Sequence, residues 1–473
     1  MPPAPKKVTM LPNVLALLAV GALALWLGLP GGQPVDARVP GLDRQPLLAP
    51  SATDEVAAAP KPGSPRAFDG KPSAIPGAWP CFRGPNRDAI YADPQVRLAR
   101  RWPPEGPKVL WSVNLLGPGH AGAAVADGRV YVLDYDVQAE ADTIRCFSLD
   151  DGREIWRNGY PVPVSENHGM SRTVPAVFGD YVVTLGPKCH LACWDAKTGQ
   201  CRWLVDLVQQ FRAKVPSWYA GQCPLIDEGR VIVAPCGEVF MAALECSSGQ
   251  IVWKTPRLHH WEMTHVSIAP LEFSGRRIYV YCGSGGVAGV SARDGAVLWE
   301  TTEWVGKMAT CPTPVPVGEG KIFLCSGYSA GSMMLKLDDQ SGRIVPKVLW
   351  RLKPKQFESE QHTPVFYQGH LFGIGTAAGG KLACLDLEGN QRWDSGARKF
   401  GRGPYCVANG MIYALSDEGL LVMAEATPEA YRPLGQFQVF ERATDAWAPM
   451  ALVAGRLILR DLTRMVCLDL RDQ

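Results

Sequence analysis

An all-β fold, an eight-bladed β-propeller closed by a strand from near the N-terminus, is predicted by three observations. A Trp-ended phrase repeats, a second phrase marked by Pro and Gly follows most copies of it, and the two ends of the repeat region complement each other. The first phrase is clearest at residues 191–203, LACWDAKTGQCRW. Alternation over residues 191–195 predicts a strand, residues 197–200 a turn, and residue 201 onward the next strand, ended by Trp203. Gly199 supplies the backbone freedom of the turn, and the Trp covers the edge of the core below.

The same phrase ends at Trp156, Trp253, Trp299, Trp350 and Trp393, a spacing of about 45 residues, which is the length of one four-stranded blade. The second phrase is a Pro-containing apolar strand followed by an aliphatic strand introduced by Gly. It reads VPAVFGDYVVTL from Val174, CPLIDEGRVIVA from Cys223, TPVPVGEGKIFLC from Thr313 and TPVFYQGHLFGI from Thr363. One such sheet cannot bury both of its faces, so the repeats must pack side by side around an axis.

The terminal fragments imply closure. Residues 108–115, KVLWSVNL, form a Trp-bearing strand with no blade before it, and residues 448–452, 456–459 and 465–469 supply three strands with no Trp strand after them. The strand of Trp111 is expected to complete the last blade and remove the open sheet edges. Blade starts near His120, Arg172, Gln222, His265, Thr310, His362, Arg402 and Trp447 count roughly eight blades.

Ahead of the repeats, Lys6 and Lys7 precede an uncharged apolar run over residues 14–29. Residues 1–30 are either a secretory signal cleaved near Ala37 or a retained single-pass anchor. The late position of Trp26 and the flanking positive charges favour the anchor. Residues 31–78, rich in Pro and Ala, are expected to form a disordered linker. The folded body is expected over residues 79–473. It would then lie outside the cytoplasm, periplasmic if tethered and secreted if cleaved.

Formal net charge is +2, from 48 Lys and Arg against 46 Asp and Glu. That balance argues against a nucleic-acid surface, which needs concentrated positive charge. Among 14 cysteines, Cys146, Cys193, Cys384 and Cys467 share one repeat slot, a blade apart and beyond disulfide reach. They are expected to be buried small hydrophobes. Neither a structural zinc spacing nor a haem-attachment motif occurs, so no metal ligand is assigned.

Residues 79–88, WPCFRGPNRD, lead into the repeats. Here the chain resembles the PQQ-like, quinoprotein-type β-propeller proteins of planctomycete type. The repeats resemble that family's A-x-D-x-x-T-G-x-x-x-W motif, most closely at residues 192–199 with Trp203. The resemblance covers about residues 79–473. It implies the propeller fold and is compatible with two activities, since the repeat serves quinone-dependent dehydrogenases as well as scaffolds such as the outer-membrane assembly factor BamB.

Inner-strand starts of a propeller face the channel or the funnel at its mouth. Aligned by repeat, they present a polar, mildly basic ring of His120, Arg172, Gln222, His265, Thr310, His362, Arg402 and Trp447. Trp218 and Trp261 just upstream are positioned to stack on a planar ligand. The dehydrogenases of the family hold PQQ over a vicinal Cys-Cys disulfide and bind Ca²⁺ through carboxylates, whereas no two cysteines are adjacent here. The expectation is a membrane-tethered, monomeric, non-catalytic binding module for protein or cell-envelope partners, with no catalytic residue assigned. The alternative is a divergent PQQ- and calcium-dependent alcohol or sugar oxidoreductase.

Overall fold

The computed structural model describes residues 17–21 and 59–472, except 166, 307, 308 and 444. The chain divides into Met1–Ala57 and Ala58–Gln473. In the first unit only residues 17–21 are described, as one helical turn. The expected anchor or signal otherwise lies outside the described residues, among which no helix is long and apolar enough to cross a membrane.

Eight antiparallel sheets make up the second unit. Blade 1 runs from its inner strand Ala123–Ala126 to its outer strand Glu154–Pro161, blade 2 from Ala176–Phe178 to Cys201–Asp206, and blade 3 from Leu225–Asp227 to Ile251–Pro256. Blades 4, 5 and 6 begin at Ala269–Phe273, Val315–Pro316 and Val365–Tyr367, and blade 7 at Tyr405–Ala408. Blade 8 holds Ala451–Val453, Arg456–Arg460 and Arg464–Asp469, and its outer strand is Lys108–Asn114. Val109 faces Leu468 and Trp111 faces Cys467 in that pairing, so the strand of Trp111 closes the ring as the sequence predicts.

The repeated phrase is a staple between blades. Asp195 accepts hydrogen bonds from the amides of Lys197 and Thr198, at 3.0 and 2.9 Å, which shapes the turn. Gly199 then takes a φ of +74°. A Cβ there would lie 2.4 Å from Cε3 of Trp156, the outer-strand Trp of the preceding blade. That indole lies against the turn and donates from Nε1 to the carbonyl of Ala196 at 3.2 Å. Trp111 bonds the Leu149 carbonyl, Trp203 that of Cys246, Trp253 that of Ala292, Trp350 that of Leu387 and Trp393 that of Thr427 in the same way. Trp111 thus carries the staple across the seam between blades 8 and 1. Trp299 is the exception, its Nε1 buried without a partner. The facing blade 5 extends its outer hairpin to ten residues a side, Gly331–Gln340 and Arg343–Leu352, which carries the turn away.

A second girdle joins the inner strands. The amide of Val174 donates to Sγ of Cys223 at 3.2 Å and that of Cys223 to Oγ of Ser267 at 3.0 Å. The amides of Ser267 and Thr313 donate to the hydroxyls of Thr313 and Thr363 at 3.3 and 2.9 Å. From blade 2 to blade 5, an N–H just ahead of the inner strand is therefore satisfied by the next blade, as burial requires. Cys146, Cys193, Cys384 and Cys467 are fully buried.

The linker expected to reach residue 78 is corrected in its last part. Arg66–Ala67 pairs with the outer strand of blade 1, and Gly63, Phe68 and Ser73 donate backbone hydrogen bonds to Gly159, Ile155 and Gly128. Composition does not encode this docking, because the backbone makes it.

Residues 79–91 then cross the axis. Trp79 bridges to Val125 in blade 1, and the Pro80 carbonyl accepts from Val177 in blade 2 at 2.8 Å. Arg87 donates to the Ile226 carbonyl in blade 3 at 2.5 Å. Ile90–Tyr91 pairs parallel with the inner strand of blade 7. At the centre, the buried Arg83 guanidinium donates to the carbonyls of Thr363, Asp88 and Pro364 at 2.7, 3.0 and 3.1 Å. Arg83, Arg87 and Ala89 adopt φ of +65°, +61° and +60°. These strained conformations are held by the surrounding hydrogen bonds.

Candidate functional site

A cavity of about 360 Å³ opens at one end of the ring, and a second of about 300 Å³ lies on the other side of the crossing segment. Phe82, Cys223 and Ser267 line both, and Phe82, the one of them on the crossing segment, forms the partition that turns a channel into a blind funnel.

Seven of the ten sequence-predicted residues line the funnel: His120, Arg172, Trp218, His265, His362, Arg402 and Trp447. Three do not. Gln222 turns inward on its own blade, with Nε2 donating to the Ala234 carbonyl at 3.2 Å and Oε1 accepting from its amide at 2.8 Å. Thr310 is buried and its hydroxyl accepts from Ser326 Oγ at 3.2 Å. Trp261 packs edge-on against Phe240, ring centroids 5.9 Å apart. The repeat register aligns these starts, but the local course of the backbone turns the side chains of Gln222 and Thr310 onto their own blades. Phe82, His168, Cys311, Tyr328 and Gln361 also line the funnel. Of these, only Cys311 and Gln361 carried a signal, each lying one residue from an aligned start.

The wall is fixed by paired groups. His120 stacks on Trp447, centroids 5.0 Å apart and planes 18° from parallel. Trp447 donates from Nε1 to Asp417 at 2.7 Å, and the same carboxylate oxygen accepts the Arg402 amide at 2.7 Å. Arg402 is ion-paired to Glu360 and its guanidinium lies 5.6 Å from the Trp447 ring centre. Arg172 donates to the Asn167 carbonyl at 2.5 Å, while its buried Nε has no partner.

His120, His265 and His362 are 7, 9 and 9% exposed. Both ring nitrogens of His120, and Nε2 of His265 and His362, are buried without a hydrogen bond. Burial pushes His120 and His362 down to about 3 and His265 to about 4. The charge of Arg172 lowers His120 and His265 further, and that of Arg83 lowers His362. All three imidazoles are therefore neutral at pH 7.

Calcium takes six to eight oxygen ligands, carboxylates prominent among them. Among the described residues the funnel wall offers imidazoles, guanidinium groups and thiols, and it includes no Asp or Glu. The pair that an adjacent Cys-Cys would supply is also lacking, Cys223 and Cys311 belonging to different blades. These residues do not fit a calcium-held quinone.

Residues 140–345 match the family model described as outer membrane protein assembly factor BamB. Among solved structures, BamB from Moraxella catarrhalis is 14% identical with a TM-score of 0.55, covering 76% of this chain and 99% of that one. The computationally designed protein Ika8 is 12% identical with a TM-score of 0.51 and the same coverages. A europium-containing methanol dehydrogenase is 11% identical with a TM-score of 0.45, covering 84% of this chain and 90% of that one. No curated protein matches the sequence. At these identities the structural likeness is one of fold. The family-model match over residues 140–345, the eight closed sheets and the Asp-Gly-Trp staple that joins them identify this chain as a PQQ-like β-propeller in fold.

Proposed function

We propose that the chain is a non-catalytic binding scaffold for protein partners in the cell envelope, held outside the cytoplasm by its apolar N-terminal segment. The observation that carries this reading is the chemistry of the funnel wall. Oxidation of an alcohol or sugar needs a base whose pKa lies near the working pH. Imidazoles held near 3 to 4 are far too weak, and no carboxylate stands beside them among the described lining residues. The match of residues 140–345 to an outer-membrane assembly factor supports the same reading. So does the rim of the ring, where the outer strands of blades 3, 4 and 5 present Ile251, Val252, Val297 and Leu349 to solvent. Exposed strand edges with apolar side chains suit strand addition by a partner.

The test is cross-linking in intact cells followed by purification from membranes. A defined partner is expected, and Val252→Glu with Leu349→Glu should reduce its recovery at least 10-fold. Repeated recovery of the bare protein counts against the scaffold. Dye-linked oxidation of alcohols or sugars after loading with PQQ and Ca²⁺ would replace it with the dehydrogenase.

A further inference from the structure

We propose that the funnel binds a small organic monoanion, one carboxylate on a flat apolar body. The carboxylate would lie against Arg172 between His120 and His265, and the body would lie along Trp447 over Phe82. This site is separate from the partner-binding rim and stands whether or not the scaffold reading does.

The charge count sets the valence. Arg402 is neutralised by Glu360. Arg172 has no carboxylate within ion-pair distance among the described residues, and its Nε is buried and unpartnered. Among the described residues one uncompensated positive charge remains in the wall. A half-buried guanidinium with a desolvated, unpartnered Nε and no counter-ion is unfavourable, and a carboxylate relieves it through charge-assisted hydrogen bonds. A dianionic phosphate or a tricarboxylate such as PQQ would leave one or two negative charges unmatched in the same confined space.

The imidazoles supply the next constraint. Each is about nine-tenths buried, lines the cavity and keeps at least one free ring nitrogen, although buried polar atoms are normally satisfied. Arg172 depresses both His120 and His265 through its charge, so the three groups form one pole. Neutral rings can each offer one N–H to an anion without adding charge. Away from that pole the wall carries three flat apolar rings, Trp447, Phe82 and Trp218. Trp447 is held in plane by Asp417 and by its stack on His120, Phe82 closes the floor, and Trp218 flanks the opening. A volume of about 360 Å³ is within the range of small-molecule sites.

The experiment titrates the intact folded chain by calorimetry and tryptophan fluorescence at pH 7 with 2-naphthoate, 2-naphthamide and 2-naphthyl phosphate. One-to-one binding of naphthoate is expected, at least 10-fold tighter than either of the others. Arg172→Gln should weaken naphthoate at least 10-fold and leave the amide within 2-fold, with a far-UV spectrum and melting curve confirming that the variant is folded. The comparison of the three probes on the unmodified chain holds even if that variant does not fold. Naphthamide binding as tightly as naphthoate overturns the carboxylate pole, and tighter binding of the phosphate overturns the single charge. An acetylated peptide ending in a free phenylalanine carboxylate presents the same chemistry from a chain terminus. Tighter binding of the peptide assigns the source to a protein terminus and tighter binding of naphthoate to a free acid, and saturable binding of neither overturns the site.

Discussion

Gly199 shows how much of this ring depends on an atom that is not there. Its φ of +74° is in the left-handed region, and a Cβ would fall 2.4 Å from a ring carbon of Trp156, which is almost fully buried and cannot retreat. Gly152, Gly249 and Gly295 meet Trp111, Trp203 and Trp253 in the same way, at 2.9, 2.8 and 2.5 Å. The left-handed conformation costs an ordinary residue about 1–2 kcal/mol, and overpacking adds about 1–3 kcal/mol. Gly199→Ala is therefore expected to destabilise the chain by about 2–5 kcal/mol in urea unfolding, although no polar contact is removed. A loss below about 0.5 kcal/mol would mean that the indole is not clamped on the turn. The Trp-ended phrase was readable because these constraints recur. What the phrase could not convey is that its Gly and its Trp serve different blades, Trp111, Trp156, Trp203, Trp253 and Trp350 each reaching forward onto the Gly of the next.

At the scale of elements, two segments before the first blade have distinct tasks. Lys108–Asn114 closes blade 8 by pairing with Arg464–Asp469, and residues 79–91 partition the axis. A chain beginning after Leu116 loses both and is expected to be insoluble, because Arg464–Asp469 becomes an open edge. One beginning at Arg100 keeps the closing strand and loses the partition together with the Arg66–Ala67 strand docked on blade 1. It should remain soluble with a lower melting temperature, since the carbonyls of Thr363 and Pro364 lose the Arg83 guanidinium. Size-exclusion chromatography and thermal melts of the two chains decide the matter. A soluble chain of residues 117–473 with an unchanged midpoint would refute closure. Closure was legible because a Trp strand without a blade and a blade without a Trp strand have one joint solution. The partition was not. WPCFRGPNRD shows no strand alternation, and its path depends on left-handed backbone at Arg83, Arg87 and Ala89, which residue type does not announce. The funnel was half legible for a related reason. Repeat alignment locates strand starts, but whether a side chain there faces the axis, as His265 does, or its own blade, as Gln222 does, is decided by one peptide's rotation.

The molecule as a whole records the funnel in its response to acid. His120, His265 and His362 are neutral in the folded ring down to about pH 3 to 4, whereas the unfolded chain protonates each near pH 6.5. Between about pH 6 and 4.5 the unfolded state thus holds three protons that the folded state lacks. Asp142 acts in the opposite sense. Burial raises it to about 7, ahead of the opposing hydrogen bond from Tyr160, so the folded state holds one proton that the unfolded state has lost until near pH 3.9. For these four groups the net difference is two protons bound on unfolding. Their contribution to stability should then fall as pH falls, by about 2.7 kcal/mol per pH unit through this window. Urea midpoints measured from pH 7 to 4.5 give the slope directly. His362→Gln removes one of the three imidazole protons and should flatten it by about 1.4 kcal/mol per unit, while Asp142→Asn should steepen it by the same amount. The two variants move the slope in opposite directions, so a general acid weakening of the ring cannot imitate the pair. Equal slopes in all three chains would mean that the imidazoles titrate in the folded state, and the funnel would then be a solvated mouth in place of a desolvated site.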